Sequence, residues 1–211
     1  ESGKTTFYLA WNSSHIYSSE TPTGPWTDLG DFTYRGMSFS DNALYNKDDN
    51  TYGPSHAAEP DGDAESVIIA AHNDVDLFVD HDTNRMYLCW GMGSKELSIA
   101  ELNPENPSEL LSAPVPVITH NPTVMWENFG QHHEDYVTGF AEGSMMFKYN
   151  GVYYWTFATG GTQYDSYTFG VYTNKTDDLL NADNWVYQEH EVINPDGDDA
   201  MWGAVRGGGH G

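Results

Sequence analysis

The sequence has 211 residues, of which 38% are hydrophobic and 14% aromatic, enough to fold around a sizeable core. Only 8 Lys and Arg residues stand against 32 Asp and Glu residues, which gives a formal net charge of −24. The negative electrostatic field of such a protein repels nucleic-acid phosphates and anionic membrane surfaces, whereas it has little effect on a neutral sugar. These properties exclude nucleic acid as a partner and leave carbohydrate as a compatible ligand.

The single cysteine, Cys89, excludes an intrachain disulfide. Its aromatic and aliphatic neighbours predict a buried strand in which the thiol behaves as a small hydrophobic group. No apolar run is long enough to span a membrane, and no signal peptide stands at the start of the sequence. Two N-x-S/T triplets, at Asn12 and Asn174, would permit glycosylation in a eukaryotic secretory route.

Short runs rich in aromatic and β-branched residues, bounded by Gly, Asn, Asp and Pro, predict an all-β fold. Along the chain, the first pair of strands is an aromatic run over residues 5–14 and a second run from His15. A loop-rich insertion is expected over residues 31–65. The best helix candidate, residues 177–184, is too short and too polar to anchor a fold.

The same pattern then returns twice, each time with an additional strand upstream. The second copy has strands over residues 74–82, over 84–94 and from Glu96, and the third over 142–150, over 150–162 and from Tyr167. A unit of three or four antiparallel strands repeated at intervals of roughly 65–80 residues is typical of β-propeller blades. A two-sheet sandwich is the structural alternative, although it does not require a repeated strand order.

Both ends of the sequence fall close to predicted strands. The chain enters an aromatic strand within a few residues of Glu1, and it stops at the glycine-rich run 207–211. We therefore expect residues 1–211 to form a single incomplete β-propeller domain of a longer protein.

Four motifs occur in order along almost the whole chain: TPTGPWTDLG, NDVDLFVDHDTNRMYLCWG, AEGSMMFKYNGVYYWTFATGGT and GGGHG. Together they resemble the blade motifs of glycoside hydrolase family 43, which includes arabinanases, β-xylosidases and arabinofuranosidases. The resemblance implies a partial five-bladed β-propeller containing part of blade 2, blades 3 and 4, and the start of blade 5. It differs from the family pattern at Val75 and Ser144, where proline is usual, and at Asn84, which replaces the glycine of a turn.

The resemblance also assigns roles to individual residues. Glu142 falls on the general acid of the family, and Asp74 on the aspartate that orients this acid and tunes its acidity. His210 falls on a histidine near a calcium-associated water cluster on the propeller axis. The catalytic base of the family is an aspartate of the first blade, which is expected upstream of Glu1.

Glycoside hydrolysis needs an acid that protonates the leaving oxygen and a carboxylate that activates water or attacks the sugar. A glutamic acid stays protonated at neutral pH only where burial or a nearby negative charge favours that form. The apolar start of the strand at Glu142 suits this requirement. Strand alternation places Asp74, Asp76 and Asp80 on one face, so the choice of Asp74 depends on the family spacing, whereas Asp80 is interpreted as a turn residue.

Other polar and aromatic groups are weaker candidates. The run HHED at 132–135 lacks the helical spacing of a zinc site and is interpreted as a polar loop leading to Glu142. The run NPDGDD at 194–199 lacks the full EF-hand pattern and is interpreted as a solvated turn. The candidates for stacking on sugar rings are Trp126, Phe129 and Trp202.

The sequence thus predicts a secreted glycosidase that acts on arabinose- or xylose-containing polysaccharide, with inversion as the resemblance implies. No cofactor is required for the chemistry, and a structural Ca²⁺ on the propeller axis is expected with His210. A non-catalytic carbohydrate-binding propeller and an extracellular structural propeller are the alternatives. Neither nucleic-acid binding nor membrane insertion is expected.

Overall fold

The structure is a computed structural model that describes residues 5–11, 15–35, 37–38, 45–46, 51–52, 74–91, 96–139, 141–164 and 166–188. Two compact units divide the chain: unit 1 comprises residues 1–72, 77–88 and 100–114, and unit 2 comprises residues 73–76, 89–99 and 115–211. The part of the chain that is described contains strands and two short 3-10 helices, and none of its helices is long and apolar enough to cross a membrane.

The strands are β1 (Phe7–Trp11), β2 (His15–Ser19), β3 (Thr27–Asp31), β4 (Thr33–Tyr34), β5 (Met37–Ser38), β6 (Tyr45–Asn46), β7 (Thr51–Tyr52), β8 (Asp76–Asp80), β9 (Arg85–Trp90), β10 (Glu96–Asn103), β11 (Asn106–Leu110), β12 (Val115–Thr119), β13 (Asn128–Phe129), β14 (Asp135–Gly139), β15 (Ala141–Tyr149), β16 (Val152–Thr159), β17 (Thr168–Asn174) and β18 (Val186–Tyr187). The 3-10 helices are Met125–Glu127 and Ala182–Asn184.

The strands with residues in unit 1 belong to two sheets. Strands β1, β2 and β3 form one antiparallel sheet in chain order, and a second sheet has the order β5-β4-β11-β10-β9-β8, in which β11 and β4 pair in parallel. Ile16, Phe32 and Leu88 are fully buried in this unit. The Arg85 guanidinium binds the Glu101 carboxylate through two hydrogen bonds of 2.8 and 2.7 Å, which couples β9 to β10.

The turn between β8 and β9 is closed by the side chain of Asp80. Its two carboxylate oxygens accept hydrogen bonds from the Asp82 amide at 3.0 Å and from the Thr83 hydroxyl at 2.9 Å. Asn84 adopts a left-handed backbone conformation with φ +57°, which asparagine tolerates better than most residues. Asp80 is the last residue of β8 and contributes its side chain to the turn that follows, and Asn84 adopts the left-handed conformation that the sequence led us to expect an asparagine to tolerate there.

Unit 2 contains a four-stranded antiparallel sheet in chain order, β15-β16-β17-β18. The two-residue turn Asn150–Gly151, with φ +50° and +76°, joins β15 to β16 and is the Asn-Gly hairpin typical of such sequences. The core on one face of this sheet includes Trp155, which meets Trp185 edge to face at 5.4 Å between ring centroids. Strand β12 pairs with residues 96–99 of β10, and β13 pairs with β14.

The predicted strands of all three copies are confirmed, because β1 and β2, β8 to β10, and β16 and β17 lie within the expected runs, and β15 begins one residue before its run. Strands β3 to β7, β11 to β14 and β18 were not predicted. Residues 177–184 contain only the single 3-10 turn Ala182–Asn184, in agreement with their weak helical pattern. Cys89 is fully buried in β9, where burial raises the pKa of its thiol. Most of the insertion over residues 31–65 and the whole of 194–199 lie outside the described residues.

Asn174, the asparagine of the second N-x-S/T triplet, lies at the end of β17 and is fully buried. Its side-chain oxygen accepts hydrogen bonds from the amide and the hydroxyl of Thr176 at 2.7 and 2.8 Å. Its amide nitrogen donates to the Asp178 carbonyl at 3.1 Å. The triplet is therefore part of a closed turn in the folded chain.

Candidate active site

Strand β15 begins with a β-bulge. Glu142 pairs with Ala158 of β16, and Met145 pairs with Thr156. The two residues between them on β15, Gly143 and Ser144, therefore lie opposite a single β16 residue, Phe157. Gly143 has φ +62°, a left-handed conformation that glycine adopts at no steric cost. A bulge of this kind redirects the neighbouring side chains and releases backbone amides from the strand ladder.

Two aspartates from the chain segment that leads into β8 accept backbone amides of the bulged strand. The Gly143 amide donates to Asp74 Oδ2 at 3.1 Å, and the Met146 amide donates to Asp76 Oδ2 at 2.6 Å. All four residues belong to unit 2. The hydrogen bond from Gly143 therefore holds Asp74 against the residue that follows Glu142. Asp74 and Glu142, the two carboxylates predicted from the sequence, are brought close together by this contact.

Asp74 is itself held in a left-handed conformation, with φ +53°. Aspartate adopts a positive φ more readily than most residues, but this conformation is uncommon for any residue other than glycine. Strained backbone of this type is concentrated at functional sites. Strand β8 begins only at Asp76, so the predicted alternation that placed Asp74 on one strand face with Asp76 and Asp80 is wrong, because a residue with positive φ cannot continue the pleat.

The Glu142 carboxyl is buried, with 6% of the residue exposed, and it is bound by a tyrosine. The hydroxyl of Tyr167 donates to Glu142 Oε1 at an O···O distance of 2.5 Å. Tyr167 is also buried, and it lies immediately before β17, the strand next but one to β15 in the sheet. Burial raises the pKa of the Tyr167 hydroxyl, and the hydrogen bond and charge of Glu142 and the charge of Asp74 raise it further. The hydroxyl is thus a permanent hydrogen-bond donor at ordinary pH.

The loop before Tyr167 packs against the segment around β13. Gly160 accepts a hydrogen bond from the Gly130 amide at 3.3 Å, and Ser166 donates from its hydroxyl to the Gly130 carbonyl at 2.7 Å. Phe129, one of the predicted stacking residues, is half-buried and meets the half-buried Tyr164 ring edge to face, with 5.1 Å between centroids. These two packed loops form a loop pair, with Phe129 on the first loop and Tyr167 at the end of the second.

The other predicted ligand-binding residues are not located by the structure. Trp126 belongs to the 3-10 helix Met125–Glu127, but its side chain lies outside the described part. Trp202 and His210 lie outside the described residues altogether.

The HHED run forms a loop between β13 and β14. His133 is buried and its Nδ1 donates to the Asn128 carbonyl at 3.1 Å, whereas the exposed Glu134 accepts the His132 amide at 2.7 Å. Within the described part of the chain, no group of three or more His, Cys, Asp or Glu side chains is arranged to hold a metal ion. The run is therefore a loop closed by its own hydrogen bonds.

A second buried glutamate lies elsewhere in unit 2. Glu127 is 3% exposed, and its two oxygens accept hydrogen bonds from the Asn121 amide at 2.6 Å and from the Tyr172 hydroxyl at 3.1 Å. Burial raises the pKa of Glu127, although these hydrogen bonds and the charge of His120 oppose the rise. This pair was not predicted from the sequence.

The arrangement at the bulge has the elements of acid catalysis. A buried glutamate held by a neutral donor lies beside a second carboxylate that is fixed through a backbone amide. Tyr167 and the bulge were missed by sequence reasoning. Gly143 carried a signal, because glycine inside a strand pattern often marks a bulge, whereas Tyr167 stands 25 residues from Glu142 and carries none.

No protein-family model matches this chain, and no curated protein matches it. Solved structures do. An α-L-arabinofuranosidase from Lactobacillus brevis is 18% identical, with a TM-score of 0.55 over 89% of this chain and 46% of that one. A family 43 α-L-arabinofuranosidase from Clostridium thermocellum is 18% identical, with a TM-score of 0.51 over 90% and 48%.

A glycoside hydrolase family 43 arabinoxylan arabinofuranohydrolase from Bacillus subtilis, solved with cellotetraose, is 19% identical, with a TM-score of 0.53 over 100% of this chain and 37% of that one. The chain spans less than half the length of each of these three structures. The likeness shows the fold: the chain is part of a five-bladed β-propeller of the kind found in glycoside hydrolase family 43.

Proposed function

We propose that this chain is part of a glycoside hydrolase that acts on arabinose- or xylose-containing polysaccharide. The observation that carries the proposal is the contact between Asp74 and the bulge that presents Glu142, because it brings a half-buried aspartate beside a buried glutamate that is distant from it in sequence. The solved structures with this fold include arabinofuranosidases, which supports the substrate class. Polysaccharide or oligosaccharide is accordingly the proposed partner.

In this mechanism Glu142 is the general acid. Its proton passes to the glycosidic oxygen as the bond between that oxygen and the anomeric carbon breaks. Asp74 accepts a hydrogen bond from the Gly143 amide beside this acid, and its proposed role is to orient the bulge that carries Glu142. The base that activates the attacking water is proposed to be an aspartate outside residues 1–211, and inversion is the proposed stereochemical course.

Sugar binding is proposed to involve the aromatic residues Trp126, Phe129 and Trp202. Phe129 is supported by its position on the loop pair that also carries Tyr167. Its contribution is best measured as oligosaccharide affinity in a Glu142→Gln background, where substrate is bound but not consumed.

Secretion and a structural Ca²⁺ near His210 are also proposed. The support is the motif resemblance and the strongly acidic charge, which suits a protein that handles neutral sugars. The metal content of the purified protein tests the second proposal, and recovery of the protein from the culture medium tests the first.

The decisive experiment uses the full-length protein that contains this chain. Glu142→Gln keeps the size of the side chain and its hydrogen bond from Tyr167 but removes the transferable proton. Hydrolysis of arabino- and xylo-oligosaccharides should fall by about 10²–10⁴-fold, while binding of the same oligosaccharides persists. Full hydrolytic activity in this variant would contradict the assignment, and binding without hydrolysis in the wild-type protein would favour a carbohydrate-binding propeller.

A further inference from the structure

The hydrogen bond between Tyr167 and Glu142 does more than satisfy a buried group. The terminal torsion of a glutamate side chain is broad, so an unrestrained carboxyl exchanges its two oxygens freely. The Tyr167 hydroxyl donates to one of these oxygens, Oε1, at an O···O distance of 2.5 Å, which fixes Oε1 as the acceptor. Because Oε1 accepts this hydrogen bond, the acid form of Glu142 is favoured with its proton on the other oxygen, Oε2.

The tyrosine is itself rigidly held. Its neighbour Ser166 is fully buried and bonded to the Gly130 carbonyl at 2.7 Å, and its own amide donates to the Tyr164 carbonyl at 3.3 Å. The next residue, Thr168, is paired with Thr159 at the end of β16. The backbone is thus hydrogen-bonded on both sides of Tyr167, and the tyrosine itself is buried.

We propose that Tyr167 is a positioning residue for acid catalysis, which holds Glu142 so that Oε2 presents its proton in one direction. The inference deepens the proposed function and rests on it. When the Oε2 proton moves to the glycosidic oxygen, the bonding electrons of the carbon–oxygen bond go to that oxygen, and water activated by the base adds to the anomeric carbon. Glu142 becomes a carboxylate, and its hydrogen bond from Tyr167 becomes charge-assisted and stronger.

The test compares two tyrosine variants of the full-length protein. Tyr167→Phe removes the hydroxyl next to Glu142, and Tyr172→Phe is the matched control because it removes a hydroxyl from the other buried glutamate, Glu127. Each is assayed on an arabino- or xylo-oligosaccharide, whose leaving group needs protonation, and on the corresponding 2,4-dinitrophenyl glycoside, whose leaving group does not.

For Tyr167→Phe, we expect kcat on the oligosaccharide to fall by about 10-fold or more, the loss typical of one hydrogen bond to a charged group. The dinitrophenyl glycoside should be hydrolysed at nearly the wild-type rate, and KM should change little for either substrate. For Tyr172→Phe, neither rate should change. Introducing Tyr167→Phe into the Glu142→Gln background should cause no further loss, because the two residues act as one unit.

A structural role alone would lower both rates of Tyr167→Phe together and leave their ratio unchanged, and that result overturns the inference. An oligosaccharide rate equal to that of the wild type also overturns it. These outcomes differ from failure of the proposed function, which is shown by a wild-type protein that hydrolyses neither substrate.

A spectroscopic measurement keeps the contact testable if the variant folds poorly. A short hydrogen bond between a buried phenol and a carboxylate should give a downfield hydroxyl proton resonance in the wild-type NMR spectrum, assigned by its loss in Tyr167→Phe. The resonance should shift in Glu142→Gln and stay unchanged in Tyr172→Phe. Absence of the resonance in well-folded wild-type protein overturns the inference.

Discussion

Unit 2 contains two buried glutamates, each bound by a tyrosine hydroxyl, and they differ in almost everything else. Glu127 has both oxygens engaged, one by the Asn121 amide and the other by Tyr172. Glu142 stands at a β-bulge, with Oε1 bound by Tyr167 and with Asp74 attached to the next residue. The first glutamate closes a loop onto the sheet, and the second is presented by a bulge that contains the left-handed Gly143.

The comparison shows that burial alone does not distinguish the proposed acid, Glu142, from a glutamate that anchors a loop. Both glutamates are less than a tenth exposed, and burial raises the pKa of the tyrosine beside each one. What separates them is the left-handed backbone at Asp74 and Gly143 and the second carboxylate beside Glu142. Strain and a neighbouring charge are features that a loop anchor does not need.

Among changes that leave Glu142 itself in place, the largest expected effect comes from removing the charge of Asp74. Asn accepts both the left-handed conformation and the Gly143 amide, so Asp74→Asn changes little except the charge. We expect kcat to fall on the order of 10²-fold, as for a group that supports general acid catalysis. Steady-state kinetics on an arabino- or xylo-oligosaccharide measure the loss.

Asp76→Asn is the matched control, because Asp76 also accepts an amide of β15, that of Met146. It should lower the free energy of unfolding by about 1 kcal/mol, the value of one hydrogen bond, and leave kcat within a few-fold of the wild type. Equal losses of kcat in the two variants would mean that Asp74 serves only to hold the strand.

The next effect is expected at the bulge. Gly143→Ala places a β-carbon on a residue with φ +62°, which costs about 1–2 kcal/mol and moves Glu142 as the bulge relaxes. A displacement of about 1 Å lowers catalysis up to 100-fold, so kcat should fall by more than 10-fold.

Gly151→Ala provides the control at a similar φ, +76°, in the turn after β15, where nothing lies within 4 Å of an added β-carbon. Thermal unfolding should show a similar destabilisation in both glycine variants. If Gly151→Ala lost as much activity as Gly143→Ala, general destabilisation would explain both results.

The smallest effect concerns Glu127, and it is a change in pH dependence. Burial holds its pKa in the folded chain above the unfolded value of about 4.3. The stability contributed by protonated Glu127 is therefore complete below that value and is lost as pH rises through the folded pKa. Denaturant titrations at several pH values should show that Glu127→Gln lacks this loss of stability. Steady-state kinetics should show that the variant retains the wild-type kcat. A parallel decline in both proteins would place the titration elsewhere.

Much of the fold was predictable because the repeated strands are local patterns. The Asn150–Gly151 hairpin and the aromatic strands of the three copies need only nearby residues to be recognised. Strand β18 was missed because a pair of residues has no period, and β12 because Pro114 and Pro116 interrupt its pattern.

The site was predictable only in part. Glu142 and Asp74 were proposed from their motifs, but Asp74 meets the residue beside Glu142 because of the bulge, which depends on strand register. Register depends on pairing with another strand, which the local pattern of β15 does not contain. Tyr167 illustrates the same limit, since its hydroxyl reaches Glu142 only after β15, β16 and β17 have assembled.

The buried Asn174 has a practical consequence for producing this protein. A eukaryotic secretory host attaches glycans to N-x-S/T triplets, and in the folded chain the side chain of Asn174 is closed inside its turn. Any glycan found there must therefore have been added to a nascent chain, and such molecules could not complete the end of β17. Glycan occupancy at Asn174 would therefore measure the fraction of chains that were glycosylated before this turn had folded.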